Sequence, residues 1–231
     1  MKTRGNFTMI SGNMRSVLLL SAVIFLCCST TNQTNVRNDK LAAQLTEIGY
    51  AHLFQLGARS LADSIWRSEK NHQALPEIVS NTGYDDYARL LASEILFEKE
   101  MNYPAKELAD TLAYIYSKAL FITGHHSGSI YLDGNLWGFM YEGMDDGRFG
   151  LRLLKIGEKA VPYLSKLLDD NGLMVYEGSE ETLVGERLNY RVKDAAAYYI
   201  GIITVIAVPF HENWADRDVE IDGLKKKLVI K

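Results

Sequence analysis

Apolar residues recur every three or four positions over most of the chain beyond residue 39, and this is the period of amphipathic helices. The most regular stripe runs through Leu108, Leu112, Ile115, Ala119 and Ile122. Thr82 and Asp85 have the three-residue spacing of a capping box, which predicts that a helix begins there. Residues 39–231 are therefore predicted to form an all-α domain.

Two stretches interrupt the helical period. Residues 124–150 contain seven glycines and are predicted to be irregular. Residues 171–190 contain four glutamates, and their alternation around Met174–Tyr176 and Leu188–Tyr190 could form a small β-hairpin. Long irregular stretches inside a compact domain are usually functional or disordered, so these two inserts are the first places to look for a site.

The first 27 residues have the order of a secretory signal peptide. Three basic residues precede an apolar run from Val17 to Leu26, and no acidic residue is present. The run has ten residues, whereas a helix needs about 20 apolar residues to cross a bilayer. Residues 28–38 are mostly small and polar and are predicted to be a flexible tether.

The end of the apolar run resembles a bacterial lipobox. The segment is Phe25, Leu26, Cys27 and Cys28, and the small residue Cys27 stands directly before Cys28. The resemblance implies that Cys28 is lipidated and becomes the mature N-terminus. Ser29 after it implies an outer-membrane destination in a double-membraned bacterium. The expectation is therefore a lipid-anchored envelope protein.

A stretch near the middle of the domain resembles HEAT-like (PBS-lyase-type) helical repeats. Residues 153–169 hold an Ile156-Gly157 pair, an Ala-Val-Pro turn ending at Pro162, and leucines at core spacing. Residues 191–201 are similar to the first helix of a following repeat. The resemblance implies an α-α superhelix, a HEAT-like solenoid, from which the two inserts project.

Charge and composition exclude several classes. The formal net charge is -4, whereas a nucleic-acid binder needs a basic surface, so no nucleic-acid partner is expected. Cleavage before Cys28 removes three cations, which gives 22 basic and 29 acidic residues and a charge of about -7. Both cysteines lie at the lipobox, which excludes a disulfide framework or a thiol nucleophile in the domain.

The sequence contains few signals of catalytic or metal-binding chemistry. His125 and His126 lie near Asp133, Asp145 and Asp146, but no metal-ligand spacing is present. No nucleophile elbow, phosphate-binding loop or dinucleotide fingerprint occurs. We therefore predict no cofactor, no metal and no catalytic residue.

Three functional hypotheses remain. The first is a lipid-anchored binding or scaffold module that recognises a protein partner. The second is an enzyme of unknown reaction with its site in residues 124–150. The third is an immunity or inhibitor protein against a toxin, in which the acidic insert faces a basic surface. For the first hypothesis the predicted contact residues are Trp137, Tyr141, Glu180 and Glu181, set against the alternative that the aromatic residues only fill the core.

Overall fold

The fold is predominantly helical. A computed structural model describes residues 35–54, 59–100, 102–126, 130–138 and 147–229, and within these ranges no β-strand occurs. The all-α prediction is confirmed at this level. The helices are α1 (35–54), α2 (Arg59–Trp66), α3 (Glu69–Ser80), α4 (Asp86–Lys99), α5 (Ala109–His125), α6 (Arg148–Ile156), α7 (Val161–Leu164), α8 (Ser179–Leu188), α9 (Val192–Thr204) and α10 (Trp214–Val229). Short 3-10 turns stand at Lys106–Leu108, Gly134–Leu136, Gly157–Ala160 and Ser165–Leu167.

Helices α4 and α5 form the centre of the core. Helix α4 packs against α3 and α5, and α5 in turn contacts α6, α7 and α9. In α5, Leu112, Ile115 and Ala119 are buried, as the apolar stripe predicts. The start of α4 differs from the capping-box prediction, because the Asp85 carboxylate itself accepts hydrogen bonds from the Tyr87 and Ala88 amides. Asp85 is therefore the N-cap residue and not the third residue of the helix.

The turn between α6 and α7 has the form that the sequence suggests. Helix α6 ends at Ile156, and Gly157 follows with φ of +73°, a conformation that favours glycine. Pro162 stands in the first turn of α7, where its missing amide hydrogen costs nothing. Leu164 is fully buried, and α9 packs on both α6 and α7. The second helix of the resemblance is short here, since α7 has four residues and a 3-10 turn follows it. The HEAT-like repeat and its superhelical arrangement stay predictions.

The N-terminal boundary of the domain differs from the prediction. Helix α1 already includes residues 35–38, the end of the predicted tether. Asn38 is buried and its side-chain amide donates to the Glu77 carboxylate of α3, which attaches this first turn to the core. Cys28 and the signal peptide lie outside the described residues, and among the described helices none is long and apolar enough to cross a membrane.

The hairpin considered for residues 171–190 is not formed. The stretch makes one isolated antiparallel bridge between Leu173 and Arg191, and residues 179–188 between them form helix α8. The alternation around Met174 covers only a few residues, whereas the sequence from Ser179 onward has two glutamates in its first turn and an arginine in its last. Those charges complement a helix dipole and favour α8.

Candidate functional site

The two predicted inserts lie against each other. The Gly134 amide donates to the Val175 carbonyl at 2.6 Å. Asn135 and Glu177 exchange two hydrogen bonds: the Asn135 side-chain amide donates to the Glu177 carbonyl at 2.7 Å, and the Glu177 amide donates to Asn135 Oδ1 at 2.9 Å. The Tyr176 hydroxyl donates to the Gly138 carbonyl at 3.2 Å. These bonds join segments about 40 residues apart into one continuous surface.

Tyr176 holds the junction together. A Cβ atom built on Gly134 would lie 2.7 Å from the Tyr176 ring, and one built on Gly185 would lie 2.6 Å from it. The ring is thus packed between two glycines, one from each insert, at a distance that no larger residue permits. Tyr176 is buried, and this burial holds the pKa of its hydroxyl well above the usual range. Residues 130–138 of the first insert are therefore fixed against residues 175–185 of the second.

Helix α8 presents an acidic and apolar face to solvent. Gly185 and Leu188 are buried against the domain, whereas Glu180 and Glu186 are exposed and Leu183 has 69% of its side chain exposed. Glu181 is half-buried and its carboxylate lies over Gly178. The acidic first turn stabilises the helix N-terminus through its dipole. The position of Leu183 has no such local explanation.

More apolar side chains are exposed beside α8. In the extended chain 173–177 the residues alternate, with Met174 and Tyr176 buried and with Leu173 and Val175 each 44% exposed. Tyr131 from the first insert is 46% exposed and its ring stacks on His126 with centroids 5.3 Å apart. We call the group Tyr131, Val175, Glu177, Glu180, Glu181, Leu183 and Glu186 the insert surface.

Tyr131 and Glu177 link the two halves of the insert surface. Partial burial raises the pKa of the Tyr131 hydroxyl to about 12, and its hydrogen bond to the Glu177 carboxylate acts in the same direction. The tyrosine is therefore neutral and serves as a hydrogen-bond donor at physiological pH. Its apolar ring and its anchored hydroxyl give the surface a rigid aromatic element.

Trp137 lies in the core. Its indole is fully buried and the ring N–H donates to Thr123 Oγ1 of α5 at 2.9 Å. The ring meets Phe149 edge-on with centroids 5.4 Å apart, and the Tyr199 hydroxyl donates to the Trp137 carbonyl. No side-chain atom of Trp137 is available to a partner of the folded chain. Trp137 therefore fits the alternative that the aromatic residues of the insert only fill the core. Tyr141 lies outside the described residues.

The histidines that suggested a metal site do not form one within the described residues. His125 Nε2 lies 2.9 Å and 3.0 Å from the two oxygens of Asp170, which connects the end of α5 to the residue directly before the second insert. His126 caps α5 in the left-handed conformation and stacks on Tyr131. Among the residues that the structure describes, no group of three or more potential metal ligands converges.

Two buried carboxylates outside the inserts join helices of the domain. Glu94 of α4 is fully buried; it accepts from the Arg152 Nε at 3.1 Å and the Tyr116 hydroxyl at 2.5 Å, and it pairs with Arg148. Asp194 of α9 is held at 2.8 Å by each of Arg191 and Arg217. Glu94 accepts from three donors and Asp194 from four, and these bonds join the helices that carry them. Their arrangement supports a structural function.

Sequence reasoning placed Glu180 and Glu181 on the candidate site but missed Leu183 and Val175. The signal for Val175 was the alternation in residues 173–177, which indicated one buried and one exposed side of an extended chain. Comparison of the chain with protein-family models, with curated proteins and with solved structures finds no match.

Proposed function

We propose that this chain is a lipid-anchored envelope module that binds a protein partner through the insert surface. The single observation that carries the proposal is the fixed pairing of the two inserts around Tyr176, which displays Leu183, Val175 and Tyr131 among carboxylates. An unfolded linker would not be secured by several such hydrogen bonds between distant segments.

The composition of the insert surface favours a protein ligand. Exposed single apolar residues are ordinary, but Tyr131, Val175 and Leu183 belong to two inserts that are fixed to each other, and a preorganised surface loses little entropy on binding. Aromatic and large apolar side chains supply most of the contact energy of interfaces, while rim charges set selectivity.

The charge of the second insert indicates the kind of partner. Residues 171–190 carry four glutamates and one arginine, and Glu177, Glu180 and Glu186 are exposed. Such a surface attracts a basic partner and repels an acidic one. A basic enzyme surface would meet this requirement, so the immunity or inhibitor hypothesis is the narrower form of the same proposal.

The anchoring part of the proposal has its own test. A Cys28→Ala variant is expected to lose metabolic labelling with palmitate. Its mature form is expected to be absent from the outer-membrane fraction. Labelling that persists in the variant, or that is absent from the parent, contradicts lipidation at Cys28.

The binding part is tested with charge variants in the native envelope. A Glu180→Gln, Glu181→Gln double variant should reduce the recovery of one defined crosslinked partner, and the parent's recovery should fall as salt is added. A matched control is the Glu107→Gln, Glu158→Gln double variant, which removes two exposed glutamates from other parts of the chain. Equal losses in both variants would show that net charge, and not the insert surface, controls recovery.

A further inference from the structure

A second exposed surface lies at the far end of α9 and has a different character. Residues 195–210 contain no charged side chain. Within them Ile202 is 42% exposed, Val205 91% and Phe210 40%, and Ala207 is also exposed. We call Ile202, Val205, Ala207 and Phe210 the apolar tip. It belongs to α9 and the chain after it, not to the insert surface.

The backbone of the apolar tip is fixed. The Ile206 amide donates to the Gly201 carbonyl at 2.9 Å and the Val205 amide donates to the Ile202 carbonyl at 3.3 Å, the paired hydrogen bonds of a Schellman helix end. The residue in the left-handed position of this motif is usually glycine. Here it is Val205, with φ of +57°.

A β-branched residue in this conformation is strained, and strain of this kind concentrates at functional positions. Glycine would relieve the strain at Val205 but would remove the most exposed apolar side chain of the tip. The chain thus combines an unfavourable backbone conformation with an apolar side chain directed into solvent.

We infer that the apolar tip inserts into the interfacial region of the lipid bilayer to which the chain is anchored. The inference rests on the anchoring part of the proposed function. Only six residues, 29–34, lie between Cys28 and helix α1, and the seven Cα–Cα steps from residue 28 to residue 35 span at most about 25 Å when fully extended. A domain held at that distance must bring one of its faces near the bilayer.

The chemistry of the tip selects the bilayer over a protein partner. Protein interfaces place polar and charged groups around their apolar centre. Ile202, Val205 and Ala207 share a shallow groove whose other lining residues are all uncharged. Charged side chains border the tip only at Phe210, beside Arg217 and Glu220. Burial of apolar side chains below the headgroups requires no matching charges and no shape complementarity. The protruding Val205 suits a deformable lipid surface better than a preformed pocket.

The test uses environment-sensitive fluorophores on the mature full-length protein in phosphatidylcholine–phosphatidylglycerol vesicles. The domain contains no cysteine, so Val205→Cys introduces a single free thiol once Cys28 is acylated. Leu183→Cys and Val219→Cys are matched controls, since Leu183 and Val219 are each 69% exposed and lie on other helices. Ala207→Cys is a second probe of the tip, should the Val205 variant lose its helical circular dichroism spectrum.

The expected result is a blue shift and at least twofold quenching by quencher-bearing lipids at positions 205 and 207, with neither at 183 or 219. Emission at the tip that is the same with and without vesicles overturns the inference. So does an equal response at all four positions, or a blue shift in lipid-free protein that grows with concentration and indicates a second copy on the tip. The intact mass separates the two proposals, because acylated protein with a tip in water contradicts only the tip, whereas absence of acylation contradicts the anchor and with it the tip.

Discussion

The two inserts use their apolar side chains in opposite ways. The first, around residues 130–138, directs Trp137 into the core between α5 and α6 and leaves Tyr131 at the surface. The second, 171–190, buries Met174 and Tyr176 but exposes Val175 and Leu183. The difference shows that irregular backbone is not itself a sign of a binding surface. Residues 130–138 of the first insert mainly complete the core, and the second insert packs on them and exposes its own apolar side chains.

The comparison predicts that the largest loss of stability follows from substitution of Trp137. Trp137→Ala should lower the free energy of unfolding by about 3–5 kcal/mol, because it leaves a cavity beside Phe149 and removes the indole hydrogen bond to the Thr123 hydroxyl. Tyr131→Ala, in the same insert, should cost much less because its side chain is half-exposed. Urea denaturation of both variants measures the difference. Equal losses would place Trp137 in a less constrained environment than the structure shows.

Smaller changes in stability, opposite in sign, are expected when two helical glycines are replaced by alanine. Gly185→Ala in α8 should destabilise the domain by about 1–3 kcal/mol, since the new methyl group would overlap Tyr176. Gly223→Ala in α10 has open space around it and should stabilise by about 0.5–1 kcal/mol. Thermal unfolding should therefore shift in opposite directions. A shift to higher temperature in both variants would mean that α8 is not packed on Tyr176.

The acidic face of α8 should matter little for stability. The Glu180→Gln, Glu181→Gln variant loses a favourable interaction with the helix dipole, which limits the cost to about 1 kcal/mol. Denaturation at low and high salt tests this limit, and the small cost should shrink further at high salt. A loss of several kcal/mol would show that these glutamates are structural and would remove them from the binding surface.

The smallest effect concerns the titration of Tyr131. Its pKa is raised to about 12, so the absorbance difference at 295 nm between the parent and Tyr131→Phe should develop near pH 12 and not near pH 10. Because the folded pKa exceeds the unfolded value, the stabilisation from Tyr131 is complete below pH 10 and is lost as pH rises toward 12. Glu177→Gln should move the titration to lower pH. An unchanged titration in that variant would disprove the link between the two inserts at this position.

The helical part of the fold was accessible from the sequence because its signals are local and repeated. The stripe Leu112, Ile115 and Ala119 fixes one face of α5, and the Ile156-Gly157 pair marks the end of α6. Residues 179–188 were not predicted as a helix. The alternation around Met174–Tyr176 suggested a hairpin, whereas the complementary charges at the two ends of 179–188 favour the helix that is observed.

The candidate site depended on contacts that no local pattern reveals. Glu180 and Glu181 are predicted contacts because they carry charge in an insert that interrupts the helical repeat. The orientation of Trp137 was not predictable, since an aromatic residue in a glycine-rich stretch suits a core and a surface equally well. Its partner Thr123 and the clamp of Tyr176 between Gly134 and Gly185 arise only when distant segments meet.

The central claim is that α8 contacts a partner and that α10 does not. A photocrosslinking amino acid at Leu183 tests it most directly against the same residue at Val219, which is equally exposed on α10. We predict one discrete crosslinked product from position 183 in the native envelope, absent from position 219 and lost when Glu180 and Glu181 are both changed to Gln. The same products from both positions, or a product at 183 that survives the glutamate changes, would contradict the account.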